Sequence, residues 1–210
     1  MAKVGRRRLG LRKPPVDITG FPVHLLRKGK VLFRAHRTGL GPWWFASDEG
    51  GRFNLDPPAG TCYLAEDEET ALRERLGPDI TAGGIVSLNW ADETVVSRLS
   101  VQRGGRLAHT CHDDGPRFGL TREIATYTGA KYNLTRRWAQ KFHEAGLRGV
   151  LYESRFTTVA QPNAYAVFDD AGPNNSWPAD PRPLSGREAC NRAGLKVVSP
   201  PSRGSVKVLP

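Results

Sequence analysis

The stretch TCYLAEDEETALRERLGP, residues 61–78, decides how this chain is read. Residues 61–65 carry Thr and Tyr at positions that suit a pleated strand, and they predict one. Asp67 then stands where a helix N-cap belongs. Glu68 and Glu69 put negative charge on the first turn, where the helix dipole favours it. The helix runs on through Leu72, Glu74 and Leu76, and Gly77-Pro78 stops it. Two turns in, Glu74 shares a face with Thr70 and Ala71, which points it inward.

Outward from this unit the pattern repeats without regularity. VLFRAH, residues 31–36, alternates Val31, Phe33 and Ala35 against Leu32, Arg34 and His36 and reads as a strand. Residues 85–90, 94–97, 149–152 and 164–168 read as further strands. Residues 121–127 predict a short helix, and Asn133 or Thr135 caps a longer one to Glu144, stopped by Gly146. Between these lie a Gly/Pro/Trp loop at 38–51, a turn at 56–60 and a Gly-rich irregular segment at 101–119. Strands lead and helices interrupt them, so the expected class is α+β, with mixed, mostly antiparallel sheets, rather than a doubly wound parallel sheet.

The 210 residues suit one domain with additions. Residues 1–20, rich in Arg, Gly and Pro, are expected to form a basic flexible arm. Residues 21–170 form the body, and 171–210 a loosely attached Pro/Gly/Ser-rich tail. The net charge of +10 suggests nucleic acid, but its distribution weakens that reading. Residues 1–30 hold nine Lys/Arg against one acid and 171–210 six against two, while 31–170 hold 16 against 18. The body therefore has no basic excess to line a groove. No apolar run reaches the ~18–20 residues of a membrane span, and the basic start has no apolar segment behind it. Three cysteines argue against a disulfide framework. The expected location is cytoplasmic.

The chain has no phosphate-binding P-loop, no Gly-rich dinucleotide turn, no HExxH, no paired CxxC and no GxSxG elbow. His109, Cys111, His112, Asp113 and Asp114 are metal-ligand types in a cluster, but their spacing fits no zinc pattern and a polar loop is the plainer reading. Four residues stand out more quietly. Arg34 sits among apolar strand neighbours, Arg52 follows Gly50-Gly51, Glu74 faces inward, and Ser154 ends a strand. Each has an ordinary alternative: an edge arginine, a surface ion pair, a solvated acid and a strand-terminating serine.

Together the blocks FRAH, GGRFN, CYLAEDEETALRE, and GVLYESR with PNAYAVF resemble the RES-domain family, in the same order and over about residues 31–168. The resemblance implies a toxin of a toxin–antitoxin pair with an Xre-like antitoxin as partner. It implies a fold similar to ADP-ribosyltransferase toxins and consumption of NAD. The family arginine falls on Arg34, the glutamate on Glu74 and the serine on Ser154, with Arg52 and Tyr63 at further pocket positions.

The residue types suit that chemistry. Breaking a nicotinamide–ribose bond passes through an oxocarbenium-like sugar, which a carboxylate such as Glu74 stabilises. Arg34 and Arg52 can grip pyrophosphate or an attacking phosphate. Tyr63 offers a flat ring face, and Ser154 a hydrogen bond to ribose or carboxamide. No metal or cofactor is called for, since NAD is the substrate. The expectation is therefore cleavage of NAD by phosphorolysis or hydrolysis. A protein ADP-ribosyltransferase would use the same pocket, with a second acid near Glu74. A nucleic-acid-binding protein would use the arm and stack bases on Trp43, Trp44 and Phe45. Nucleic acid is otherwise expected only through the antitoxin, for which those three aromatics form a candidate contact.

Overall fold

The computed structural model describes residues 10–77, 83–158 and 163–199. Twelve strands and five helices are described. The strands are β1 (Val23–Leu26), β2 (Val31–Arg37), β3 (Trp44–Phe45), β4 (Ala59–Ala65), β5 (Ile85–Ser87), β6 (Thr94–Ser100), β7 (Gly105–His109), β8 (Gly149–Tyr152), β9 (Ala164–Asp170), β10 (Gly172–Pro173), β11 (Leu184–Ser185) and β12 (Lys196–Val198). The helices are α1 (Glu68–Leu76), α2 (Leu88–Asp92), α3 (Glu123–Thr126), α4 (Asn133–Glu144) and α5 (Gly186–Arg192). The architecture is α+β, as expected. Eight strands form one sheet in the order β1-β7-β8-β9-β4-β2-β6-β11, in which only β7 and β8 run parallel.

Strand alternation sorts the side chains into two faces. Leu32, Cys62, Leu64, Leu99, Leu107, Leu151, Tyr165 and Val167 pack with Trp43 and Phe45 on one. On the other, Ala164, Ala166, Phe168 and Tyr152 meet α4 through Trp138, Ala139 and Phe142. Phe33, Ala35, Ala65 and Val96 meet α1 and α5. α1 begins as its sequence requires: Asp67 accepts from the Thr70 amide at 2.7 Å, and its second oxygen accepts from the Thr70 hydroxyl at 2.9 Å.

One irregularity positions the site. β4 pairs with β9 over seven residues and β2 with β6 over seven, but β2 and β4 meet only at Phe33↔Ala65. Beyond that pair the two halves of the sheet part, and residues of α1 line the gap with those of β2 and β4.

Several expectations need correction. Leu11 and Ile18 are buried in the core beside α4, and the Arg12 carbonyl accepts from Trp138 Nε1 at 2.8 Å, so residues 10–20 are anchored to the body at these points rather than forming a free arm. Residues 1–9 lie outside the described residues. The tail is also structured over 172–198: β11 extends the main sheet, β12 pairs with β5, and Ala189 and Cys190 are buried beneath α1. Its small, widely spaced apolar residues give almost no periodic signal. Residues 85–90 are not one strand, because α2 starts at Leu88, and β7 lies within the segment expected to be irregular. Trp43 and Phe45 are buried, and only Trp44, 46% exposed, faces solvent. Trp43 donates to the Pro178 carbonyl and packs edge-on against Trp177, so the structured tail covers it.

Candidate active site

The parting of β2 and β4 opens a cleft of about 370 Å³. It is lined by Phe33, Arg34 and Ala35 of β2, Tyr63 to Ala65 of β4, Glu74 and its neighbours on α1, Gly51 and Arg52, Tyr132, and Tyr152, Arg155 and Phe156 after β8. Arg34, Arg52, Tyr63 and Glu74 thus gather in one place from three separate sequence blocks. Ser154 lies directly behind Glu74.

Glu74 is the one acid among the described residues that line the cleft. Its Oε1 accepts from Ser154 Oγ at 2.5 Å and its Oε2 from Tyr152 Oη at 3.1 Å. Ser154 is 1% exposed. Its hydroxyl oxygen also accepts from the Phe156 amide, and its own amide donates to Asn163 Oδ1 at 2.9 Å. Asn163 in turn donates to Thr157 and Thr70, which joins the Ser154 turn to the first turn of α1. In this geometry Ser154 holds Glu74, because its single proton is spent there.

Arg52 enters from the glycine turn. The Asn54 side chain occupies the space a Cβ at Gly51 would need, so that glycine lets the loop fold tightly. Arg52 donates to the Tyr127 carbonyl at 2.9 Å and lies over the Tyr132 ring, 5.4 Å from its centroid. Burial and the nearby Arg155 lower its pKa, while Tyr152 and Glu74 oppose that shift. Tyr63 donates to Asn54 Oδ1 and accepts the Phe53 amide, so its hydroxyl pins the same loop and its ring lines the cleft. Burial raises its pKa and keeps it a neutral donor.

Arg34 lies where β2 and β4 separate. Its Nη1 donates to the Pro42 carbonyl at 2.7 Å, to the Trp44 carbonyl at 2.9 Å and to Cys62 Sγ. One nitrogen of this arginine thus ties β2 to the Pro42–Trp44 segment and to Cys62 of β4, where the β2–β4 ladder is absent.

Among the polar side chains that line the cleft, sequence reasoning missed Arg75, Tyr132, Tyr152 and Arg155. Arg155 packs over the Phe156 ring, and its Nε is buried with no hydrogen-bond partner among the described residues. Adjacency to Ser154 was the available signal for it. With these, four arginines and one carboxylate line the cleft, the Arg75 guanidinium turning to Thr94 Oγ1 and the Trp90 ring, and none of the four pairs with an acid among the described residues. Such a cleft suits an anionic ligand with a site of developing positive charge next to Glu74. Among the described residues, no three His, Cys, Asp or Glu side chains gather into a metal-ligand set, at residues 109–114 or elsewhere. No described helix is long and apolar enough to cross a membrane.

The RES domain family model matches residues 31–185, and the chain belongs to that family. Its fold is similar to that of a chain in the crystal structure of the M. tuberculosis MbcT–MbcA toxin–antitoxin complex, with a TM-score of 0.58 at 11% sequence identity. The match covers 81% of this chain and 92% of that one. No curated protein matches the sequence.

Proposed function

We propose that this chain is the toxin of a toxin–antitoxin pair and that it cleaves the nicotinamide–ribose bond of NAD, with phosphate or water as acceptor. Membership of the RES-domain family and the likeness to a toxin–antitoxin structure support the biological class. The observation that carries the chemistry is Glu74, held by donors on both oxygens inside a cleft of four arginines. As the glycosidic bond breaks, its electron pair leaves with nicotinamide and positive charge builds on the ribose. Glu74 stabilises that charge. Arg52 and Arg155, with the open edge of Arg34, hold the pyrophosphate. An attacking phosphate oxygen or water forms the new bond to the sugar carbon, and in hydrolysis the attacking water gives up one proton to solvent.

The acids near the start of α1 favour this reading over protein ADP-ribosyltransfer. Glu66 binds Tyr165 and Lys30, Asp67 caps α1, Glu68 pairs with Arg192 and Glu69 with Arg73, so none stands beside Glu74 as a second acid. The nucleic-acid reading loses its stacking platform, because Trp43 and Phe45 are buried. An antitoxin partner is retained in the proposal, with Trp44 and the exposed Leu40 as contacts. The test is incubation of the purified chain with NAD, with and without phosphate, followed by mass spectrometry of the products. Nicotinamide with ADP-ribose or its phosphate ester is expected; intact NAD would overturn the proposal.

A further inference from the structure

Tyr152 ends β8 with its ring 2% exposed and packed on Phe53 at a centroid distance of 5.0 Å. Phe53 follows Arg52 and is itself fixed through its amide to the Tyr63 hydroxyl. From this position Tyr152 donates to Glu74 Oε2, while Ser154 donates to Oε1. A glutamate carboxylate turns easily about its last bond, where the torsional wells are broad. A single donor fixes one oxygen and leaves the plane free. Two donors on different oxygens fix the plane and leave lone pairs on both oxygens for a ligand.

We propose that Tyr152 is a positioning residue for Glu74, setting the carboxylate plane and coupling it to the loop that carries Arg52. A buried tyrosine that merely needed an acceptor is the structural alternative, and the two differ in what they do to the carboxylate. A donor to the ionised form stabilises that form. Burial and the Glu74 charge raise the pKa of the Tyr152 phenol, so it stays protonated and able to donate. The other titratable or charged side chains that line the cleft with Glu74 are Arg34, Arg52, Tyr63, Tyr132 and Arg155, with Arg75 beside Glu74 on α1. All of these remain when Tyr152 is changed, so a difference between variant and parent reports Tyr152 alone.

The turnover part of the test rests on the proposed NAD chemistry, and the NMR part does not. The full chain is labelled with carbon-13 at the glutamate carboxyls, and the Glu74 signal is assigned by its loss in Glu74→Gln. In Tyr152→Phe, at one fixed pH, the Glu74 carboxyl signal is expected to move, because one of its oxygens has lost its donor, while the other glutamate signals stay in place. Turnover of NAD is expected to fall ~10-fold with little change in KM. A Glu74 signal that keeps its parental position overturns the proposal. A parent chain that leaves NAD intact overturns the NAD chemistry alone, since the NMR measurement still decides the role of Tyr152.

Discussion

Arg34 marks where the sheet divides, and replacing it separates its structural work from its ligand work. Arg34→Ala removes three contacts from one guanidinium nitrogen: two to the carbonyls of Pro42 and Trp44, and one to Cys62 Sγ. Hydrogen bonds from a charged donor contribute roughly 1.5–3 kcal/mol each, and acceptors left unpaired add a desolvation cost. Contacts that share one nitrogen are not additive, so the expected loss is about 2–4 kcal/mol. For a chain of this length each kcal/mol shifts Tm by roughly 2–4 °C, which puts the variant roughly 5–15 °C below the parent. The assay is calorimetry of unfolding beside calorimetry of NAD binding. Trp43 and Trp44 flank the released carbonyls, so tryptophan emission follows the same loop. A variant with parental Tm but lost NAD binding would refute the reasoning, because Arg34 would then act on ligand alone. A Cys62→Ala partner variant should show a smaller effect of Arg34→Ala than the parent does.

Other outcomes follow from the same structure. Ending the chain at residue 183 removes β11, α5 and β12, with Ala189, Cys190 and Leu195 from the core. That chain should lose cooperative unfolding in urea; a two-state transition at the parental midpoint after this cut contradicts the packing described. Burial is the leading cause of the lowered pKa values of His24, His36 and His109, each below the ordinary 6.5. The unfolded chain then binds more protons than the folded one below about pH 6.5, so stability should hold above that pH and fall as pH drops through it. Urea midpoints at pH 8 and pH 5.5 check the sign, and a higher midpoint at pH 5.5 would contradict it.

The parts of the fold that were legible in the sequence have strong local chemistry. Asp67, the first-turn acids and Gly77 mark α1, and Trp138 and Phe142 mark the buried face of α4. The illegible parts have their chemistry elsewhere in the chain. β7 hides behind glycines and is a strand because β1 and β8 flank it. α5 buries alanine and cysteine, which carry little pattern. The Trp43-Trp44-Phe45 loop looks exposed until residues 177 and 178, far along the chain, cover it. At the site, the residue types at 34, 52, 63, 74 and 154 were visible, and the family resemblance ordered them. Their division of labour was not visible. That Ser154 serves Glu74, that Tyr63 pins a loop and that Arg34 bridges two strands are facts of three-dimensional contact.

The central claim is that the Glu74 carboxylate stabilises charge that appears only as the nicotinamide–ribose bond breaks. Nicotinamide release by the parent chain and by Glu74→Gln, each measured at saturating NAD beside its NAD affinity, tests it most directly. Glutamine keeps the shape and removes the charge, so affinity should stay within a few-fold while turnover falls ~10²–10³-fold. A Glu74→Gln chain that releases nicotinamide at the parental rate would contradict the account.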